Sequence, residues 1–160
     1  MIRFSPKKLR EFNKQLFAEP TFDAFLVPEA HFVTAFRTDF NGNSAEGSSN
    51  PEDGLSAKEA ACVSWKELRP IALQLVRGQA PKSFSVVLKL PEEQVREILA
   101  QASPDEDGSN VEGFYLNIRY AKDELMLTSG CMQKTFSLDK TWEKAWDHYI
   151  ENYLSRLGLI

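Results

Sequence analysis

At 160 residues and 42% apolar content, the chain is long enough for one domain whose core needs no disulfide staples. Its formal net charge of −4 argues against non-specific nucleic-acid binding, which depends on Lys and Arg side chains at phosphates. No apolar run approaches the roughly 20 residues of a membrane span and no signal-peptide pattern is present, so we expect a single cytoplasmic domain over residues 1–160.

The first part of the chain is predicted to hold a short strand, a helix and two extended segments. In chain order these cover residues 1–4, 5–19, 22–27 and 30–40. The helix is predicted because Ser5-Pro6 supplies a capping residue followed by proline at the first helical position. The last segment alternates apolar and polar residues as one strand, and we expect Phe32, Phe36 and Phe40 to face the core.

A segment of small and polar residues follows at 41–54, with the sequence NGNSAEGSSNPEDG. Gly, Ser, Asn and acidic side chains bury too little apolar surface to offset the entropy that ordering costs. Because neither flank looks able to fold alone, we expect a mobile loop inside the domain and not a boundary between two domains.

The second part of the chain is predicted to contain three helices and three strands. In chain order they are a helix that Ser64 opens and Gly78 ends, a strand over 84–90, a short helix from Pro91, a hairpin that turns at 121–124, and the final helix. Ser64 and Glu67 have the spacing of a capping box. Pro70 lies deep enough in the same helix that we expect a kink or a restart there.

The final helix carries the clearest pattern in the chain. Its apolar stripe repeats at helical spacing and consists of Trp142, Ala145, Trp146, Tyr149, Ile150, Tyr153, Leu154 and Leu157. Asp139 stands where an N-cap residue belongs, and Gly158 stands where a left-handed residue follows a helix. Asp139, Glu143 and Asp147 recur about one turn apart, and we interpret them as a solvated charged edge.

The order of these elements predicts the fold class. It reads β-α-β-β-α-β-α-β-β-α with at least one hairpin, which favours an α+β fold. We expect a largely antiparallel sheet with about four helices packed against it, the last of them long and amphipathic.

Motifs for metal, cofactor or covalent chemistry are not found in the sequence. The two histidines, His31 and His148, and the two cysteines, Cys62 and Cys131, do not have the spacing of zinc ligands. The segment 128–131, Thr-Ser-Gly-Cys, lacks the first glycine of a nucleophile elbow. We therefore expect no metal, no cofactor and no catalytic residue, and we expect both thiols to be reduced and buried.

Polar candidates for a small-molecule site are nevertheless present. Arg69 precedes Pro70 in an otherwise apolar helix, where a guanidinium has to form an ion pair or reach a pocket. The candidate residues are Arg69, His31, Arg37 and Asp23. The hypothesis requires these side chains to converge in one concave pocket, within about 10 Å of one another. A structural ion pair of Arg69 is the competing interpretation.

A resemblance to a known family rests on short segments that span most of the chain. They are Phe22-Asp23-Ala24-Phe25-Leu26, Glu29-Ala30, Trp65 with Arg69-Pro70, Gly78 with Lys82 and Phe84, Gly113 with Asn117-Ile118 and Tyr120, Thr128 with Gly130, and Leu138-Asp139-Lys140 with Trp146-Asp147. With them the chain resembles a family of uncharacterised bacterial proteins, mostly from anaerobic Firmicutes, defined as a domain of unknown function. The resemblance implies a small cytosolic single-domain protein without an established activity, cofactor or catalytic residue. Residues 41–54 depart from the family pattern because they are richer in Gly and Ser.

The leading functional hypothesis is a non-enzymatic interaction or regulatory module, because each titratable residue has an adequate structural explanation. It predicts an exposed apolar patch for an unknown protein partner or for self-association. The alternative is a small-molecule-binding protein or uncharacterised enzyme with a polar pocket near Arg69. A third hypothesis is weak nucleic-acid binding through Lys7, Arg10 and Lys14, although such a charge run is more often a solvated face.

Overall fold

A computed structural model describes residues 1–43, 62–105 and 108–160 of the chain. The α-helices in these parts are α1 (Leu9–Phe17), α2 (Trp65–Gly78), α3 (Glu92–Ala102) and α4 (Thr141–Arg156). The strands are β1 (Arg3–Phe4), β2 (Leu26–Val33), β3 (Arg37–Asn41), β4 (Ser83–Lys89), β5 (Val111–Ala121) and β6 (Glu124–Gln133). Most of the predicted mobile loop, residues 44–54, lies outside the described residues.

The strands form one six-stranded sheet in the order β1-β6-β5-β4-β2-β3. Each neighbouring pair in this order is antiparallel. The helices and strands of the described residues follow one another in the predicted order. The α+β prediction, with a largely antiparallel sheet and about four helices, is therefore confirmed.

The predicted hairpin is confirmed as β5 and β6. A two-residue turn joins these strands, and both of its residues, Lys122 and Asp123, have positive φ angles, 53° and 62°. Positive φ at both central positions is typical of a type I′ turn, whose twist matches that of the flanking strands. The Asp123 carboxylate accepts a hydrogen bond of 3.0 Å from the hydroxyl of Tyr120, which further holds the turn.

The prediction of one continuous strand over residues 30–40 is wrong. The chain reverses within it, since β2 ends at Val33, β3 begins at Arg37, and the amide of Thr34 donates to Phe36 O at 2.9 Å. Phe36 lies in this turn with 63% of its surface exposed and does not face the core. The alternation of apolar and polar residues does not reveal this reversal. Even-numbered residues pair with even-numbered residues across β2 and β3, so they lie on the same face of the sheet before and after the turn.

Two element boundaries in the first part of the chain also differ from the prediction. Residues 22–27 are not extended throughout, because Pro20–Phe22 forms a 3₁₀ turn and the amide of Phe25 donates back to Phe22 O at 3.0 Å. Helix α1 begins at Leu9, since Lys8 has extended backbone angles and stands at the N-cap position. Pro6 therefore lies outside α1 and does not occupy its first helical position. A proline at a first helical position is found in the 3₁₀ turn, at Pro20.

The core contains two fully buried tryptophans whose polar atoms are satisfied. Trp146 of α4 stacks on Phe114 of β5, with ring centroids 5.2 Å apart and an interplanar angle of 2°. Its indole N–H donates to Tyr115 O at 3.0 Å, and the indole of Trp65 in α2 donates to Leu16 O at 2.9 Å. Each ring therefore adds buried apolar surface without leaving an unpaired donor.

The predicted register of α4 is confirmed at its buried face and at its C-terminus. Four residues of the predicted stripe are buried: Trp142, Trp146, Ile150 and Leu154. Gly158 has a φ of +67°, and the amide of Leu159 donates to Leu154 O at 3.0 Å. This hydrogen bond together with the left-handed glycine is a Schellman motif, which satisfies carbonyls that the helix end leaves free.

The capping box that opens α2 is confirmed as well. Ser64 Oγ accepts a hydrogen bond from the Glu67 amide at 3.3 Å, and Glu67 Oε2 accepts one from the Ser64 amide at 3.2 Å. Pro70 lies inside this helix, which continues as one element from Trp65 to Gly78 and does not restart. Burial of Leu68 and Ala72 on either side of Pro70 accounts for this, because core packing offsets the one missing N–H.

Candidate functional site

The connection between β6 and α4, residues 134–140, presents two large apolar side chains to solvent. We name it the β6–α4 loop. Phe136 is 91% exposed and Leu138 is 84% exposed. Single apolar residues are common on protein surfaces, but two nearly uncovered ones on one short connection are not explained by core packing.

Asn110 fixes the first half of the loop. Its side-chain Oδ1 accepts hydrogen bonds from the Thr135 amide at 2.9 Å and from the Thr135 hydroxyl at 2.8 Å. Its Nδ2 donates to Thr135 O at 3.1 Å, and its backbone carbonyl accepts from the Lys134 amide at 2.8 Å. The residue directly before Phe136 is therefore held by side chain and backbone together.

A second set of hydrogen bonds fixes the end of the loop where α4 begins. Ser137 Oγ accepts from the Asp139 amide at 3.1 Å, and Asp139 Oδ1 accepts from the amide and hydroxyl of Thr141 at 2.9 and 2.7 Å. The bond from the Thr141 hydroxyl is the largest reason why the pKa of Asp139 is lowered. Asp139 lies one residue before the N-cap position, which Lys140 occupies, so the predicted N-cap is displaced by one residue.

The charged residues around the loop are mainly basic. Lys134, Lys140 and Lys144 are exposed. Lys140 Nζ donates to Glu143 Oε2 at 3.1 Å, and Glu143 Oε1 forms a second ion pair with the Met1 amino group. These two bonds, the one from Met1 first, lower the pKa of Glu143. Glu143 and Lys140 are thus paired, whereas Lys134 and Lys144 form no ion pair within the described residues and supply the unpaired positive charge of this surface.

A buried polar cluster lies one helical turn beyond Glu143. Asp147 is 7% exposed, and the fully buried Ser129 of β6 donates its hydroxyl to the Asp147 carboxylate. The Met1 amino group donates to Asp147 Oδ2 at 2.9 Å, and the Ile2 amide donates to Ser129 Oγ at 2.8 Å. The interpretation of Asp147 as part of a solvated edge is therefore wrong, because the pairing of β1 with β6 covers this flank of α4.

Neither Ser129 nor Cys131 has the surroundings of a nucleophile. The Ser129 hydroxyl is inaccessible and donates to a carboxylate. Burial, with smaller contributions from Glu143 and Asp147, raises the pKa of Cys131 to about 11, so its thiol is protonated at neutral pH. Cys62 and Cys131 are both partly exposed, which corrects the expectation that they are buried.

Two of the residues predicted for a small-molecule site form an ion pair with each other. Arg69 Nε donates to Asp23 Oδ1 at 2.7 Å and Nη2 donates to Asp23 Oδ2 at 3.0 Å, while Nη1 donates to Ala18 O at 3.4 Å. The side chains are 20% and 15% exposed. The bond to Asp23 is the largest cause of the raised pKa of Arg69. This bidentate pair ties α2 to the segment that follows α1.

The other two predicted residues meet at the β2–β3 hairpin. His31 Nδ1 lies 2.7 Å from Asp39 Oδ1, and Arg37 Nε donates to both carboxylate oxygens of Asp39 at 2.9 and 3.1 Å. The hydrogen bond with His31, followed by that with Arg37, lowers the pKa of Asp39. Within the described residues, no hydrogen bond or ion pair joins this group to Arg69 or Asp23.

The basic residues suggested for nucleic-acid binding do not form a uniform surface. Lys7 precedes α1, whereas Arg10 and Lys14 lie on it, and all three are exposed. Lys14 Nζ lies 3.8 Å from the Glu19 carboxylate. At least one charge of the patch is therefore partly balanced.

Within residues 1–43, 62–105 and 108–160, no group of three or more His, Cys, Asp or Glu side chains is placed to hold a metal ion. None of the helices there combines the length and the apolar composition that crossing a bilayer requires.

Sequence reasoning did not identify Phe136 and Leu138 as exposed apolar side chains, and it placed Asp147 in solvent instead of in a buried polar cluster. A usable signal for the first two was present, since the segment KTFSLDK alternates large apolar and polar residues directly before a helix. No local signal existed for Asp147, because its partners Ser129 and Met1 are remote in sequence.

A family model described as a family of unknown function (DUF5721) matches residues 15–159. No curated protein and no solved structure matches the chain.

Proposed function

We propose that this chain, which belongs to the DUF5721 family of unknown function, is a non-enzymatic protein-interaction module. The single observation that carries the proposal is the β6–α4 loop, which holds Phe136 and Leu138 in solvent between two hydrogen-bonded anchors. Membership in the family assigns no activity, so the proposal rests on this chain's own surface.

The exposure of these side chains has a thermodynamic consequence. Burying one Phe or Leu side chain is worth roughly 1.5–3 kcal/mol relative to leaving it in water. A partner that covers Phe136 and Leu138 gains this stabilisation for both. Because Asn110 and Thr141 already hold the loop, little conformational entropy is lost on binding. Large apolar side chains on a preorganised backbone have the properties of interface hot spots.

The charges around the loop define the chemistry of the partner. We propose a different protein with an apolar cleft rimmed by carboxylates, which would face Lys134 and Lys144. Self-association through the loop is disfavoured, because a two-fold contact places the same surface of two copies together and brings these lysines near one another.

The competing hypotheses have less support. A polar pocket at Arg69 would need a free guanidinium, whereas all three of its nitrogens donate hydrogen bonds within the chain. The basic patch at Lys7, Arg10 and Lys14 has one charge partly balanced by Glu19. The sequence resemblance further supports a bacterial source, a cytoplasmic location and a single domain over residues 1–160.

The test compares three immobilised proteins in extracts of the source organism. They are the wild type, the double variant Phe136→Ser/Leu138→Ser, and the control Phe36→Ser, which removes another exposed phenylalanine at the β2–β3 turn. Proteins retained on each are quantified by mass spectrometry. The strongest candidate is then purified and titrated calorimetrically against all three proteins at low and high salt.

The expected result is a purified partner that binds the wild type and the Phe36→Ser control alike. The double variant should bind at least about 30-fold more weakly, as expected when two hot-spot side chains are truncated. Affinity for the wild type should fall with salt because of the lysine rim. The proposal fails if no purified protein discriminates the double variant from the control. A loop-dependent dimer of this chain in sedimentation experiments would also overturn it.

A further inference from the structure

A groove of about 490 Å³ lies between α3 and α4, away from the residues of the β6–α4 loop. Ile98 and Ala102 of α3 and Ala145 of α4 provide its apolar part. This volume is within the roughly 300–1,000 Å³ that small-molecule sites occupy. The groove therefore has the size of a site for a small organic ligand.

One wall of the groove is aromatic and rigid. Tyr149 stacks on the buried Trp146 with centroids 5.7 Å apart and an angle of 19°, and Tyr153 continues the stack at 6.5 Å and 11°. The hydroxyl of Tyr153 donates to Thr21 O, which fixes that ring, while Tyr149 remains 37% exposed. A held π surface that is still accessible favours planar ligands, since stacking then orders little of the protein.

The polar side chains of the groove are uncharged or basic. Arg156 and His148 both line it. Within the described parts of the chain, Arg156 forms no ion pair and the one hydrogen bond of the His148 ring is with Asn152, at 3.0 Å. No residue of the lining carries a carboxylate. In a chain with a net charge of −4, this is a local arrangement that suits an anion.

We propose that the α3–α4 groove binds a small planar aromatic anion. The ring of the ligand lies against Tyr149 and Tyr153, and its acidic group is bound by the guanidinium of Arg156, assisted by His148. This site is independent of the proposed protein interface, because the two share no residue. It adds a ligand-binding function that Arg69 and the other predicted site residues do not provide.

The test uses two fluorescent probes of similar shape, 1-anilinonaphthalene-8-sulfonate and the uncharged N-phenyl-1-naphthylamine. Each is titrated into the wild type and into Arg156→Gln, Arg156→Lys and Tyr149→Leu. The variant Phe136→Ser/Leu138→Ser is the control for probe binding at the exposed loop. Circular dichroism and thermal melts establish that each variant is folded.

The wild type should bind the sulfonate with a stoichiometry of one. Arg156→Gln should weaken this binding about tenfold or more, because a hydrogen bond between charged groups is lost, and Arg156→Lys should restore part of it. Tyr149→Leu should weaken both probes, whereas the loop control should bind both like the wild type. The uncharged probe should not respond to Arg156→Gln.

Three results would overturn the proposal. The first is equal binding of the sulfonate by folded Arg156→Gln and wild type. The second is that folded Tyr149→Leu binds both probes as tightly as the wild type does. The third is loss of the signal in the loop control, which would place the probe on the β6–α4 loop and leave the protein-interface proposal standing.

Discussion

Two aromatic side chains near the start of α4 have opposite surroundings. Trp146 is fully buried, stacks on Phe114 and donates a hydrogen bond to the backbone of β5. Phe136 is 91% exposed, and no aromatic ring in the described parts of the chain packs against it. Hydrophobic stabilisation depends on the surface removed from water, so only the first contributes to folding. The effect of a substitution should therefore follow burial and not residue type.

The largest effect is expected for Trp146→Ala. Removing this ring leaves a cavity beside Phe114 and deletes the hydrogen bond to Tyr115 O, so the free energy of unfolding should fall by about 3–5 kcal/mol. Equilibrium unfolding in urea measures this loss of stability. Trp146→Phe keeps an aromatic ring in place and should lose about half as much. A loss below about 1 kcal/mol for the alanine variant would contradict the buried position.

Substitution of Asp147 tests whether its buried carboxylate stabilises the folded protein. Asp147→Ala removes the carboxylate that accepts from the buried Ser129 hydroxyl, which then keeps only its 3.4 Å contact with Ile2 O. Among the described residues, the Met1 amino group keeps only Glu143 as an ion-pair partner. We expect a loss of about 1–3 kcal/mol in urea unfolding, the range for a buried polar group left poorly paired, because the exposed Met1 end of the ion pair adds little. Asp147→Asn retains an acceptor for Ser129 and should lose less. Wild-type stability of the alanine variant would instead place Asp147 in solvent, as the sequence interpretation had it.

Two arginine ion pairs provide the same comparison for charged residues. The pair of Arg69 with Asp23 is bidentate and mostly covered, whereas the side chains of Arg37 and Asp39 are more than half exposed. Arg69→Met should cost about 1–2 kcal/mol, since it leaves Asp23 without its main partner. Arg37→Met should change stability by less than about 0.5 kcal/mol because solvent screens the pair. Equal losses in thermal unfolding would show that the two pairs do not differ in burial.

Much of the fold could be predicted because its signals are local and long. The stripe of α4 repeats over about four turns, which makes its helical spacing readable from the sequence. The capping box that begins at Ser64 and the helix end at Gly158 each depend on residues only a few positions apart in the sequence. The β2–β3 hairpin was missed because its turn, near Phe36, lacks the Asn-Gly or Asp-Gly signal of two-residue turns and leaves the alternation intact.

The candidate site was harder to predict because its residues are defined by tertiary contacts. Burial of Asp147 follows from β1 pairing with β6, which brings Arg3 opposite Thr128, a residue remote from it in the chain. The ion pair of Arg69 was one of the two interpretations that the sequence left open, because a guanidinium in an apolar helix needs a partner or a pocket. The exposure of Phe136 depends on Asn110 holding Thr135, a contact that periodicity cannot show.

The smallest effect on stability is expected for Phe136→Ser, and it is the sharpest test of the comparison. Because the ring is almost fully exposed, its removal should change the free energy of unfolding by no more than about 0.5 kcal/mol, as should Phe36→Ser at the other exposed turn. Urea unfolding of both variants and of Leu138→Ser measures this. If Phe136→Ser alone lost more than about 1 kcal/mol, the ring would be part of the core and could not serve as a free anchor. Unchanged stability together with lost partner binding would instead show that this chain keeps two apolar side chains in water for recognition and not for folding.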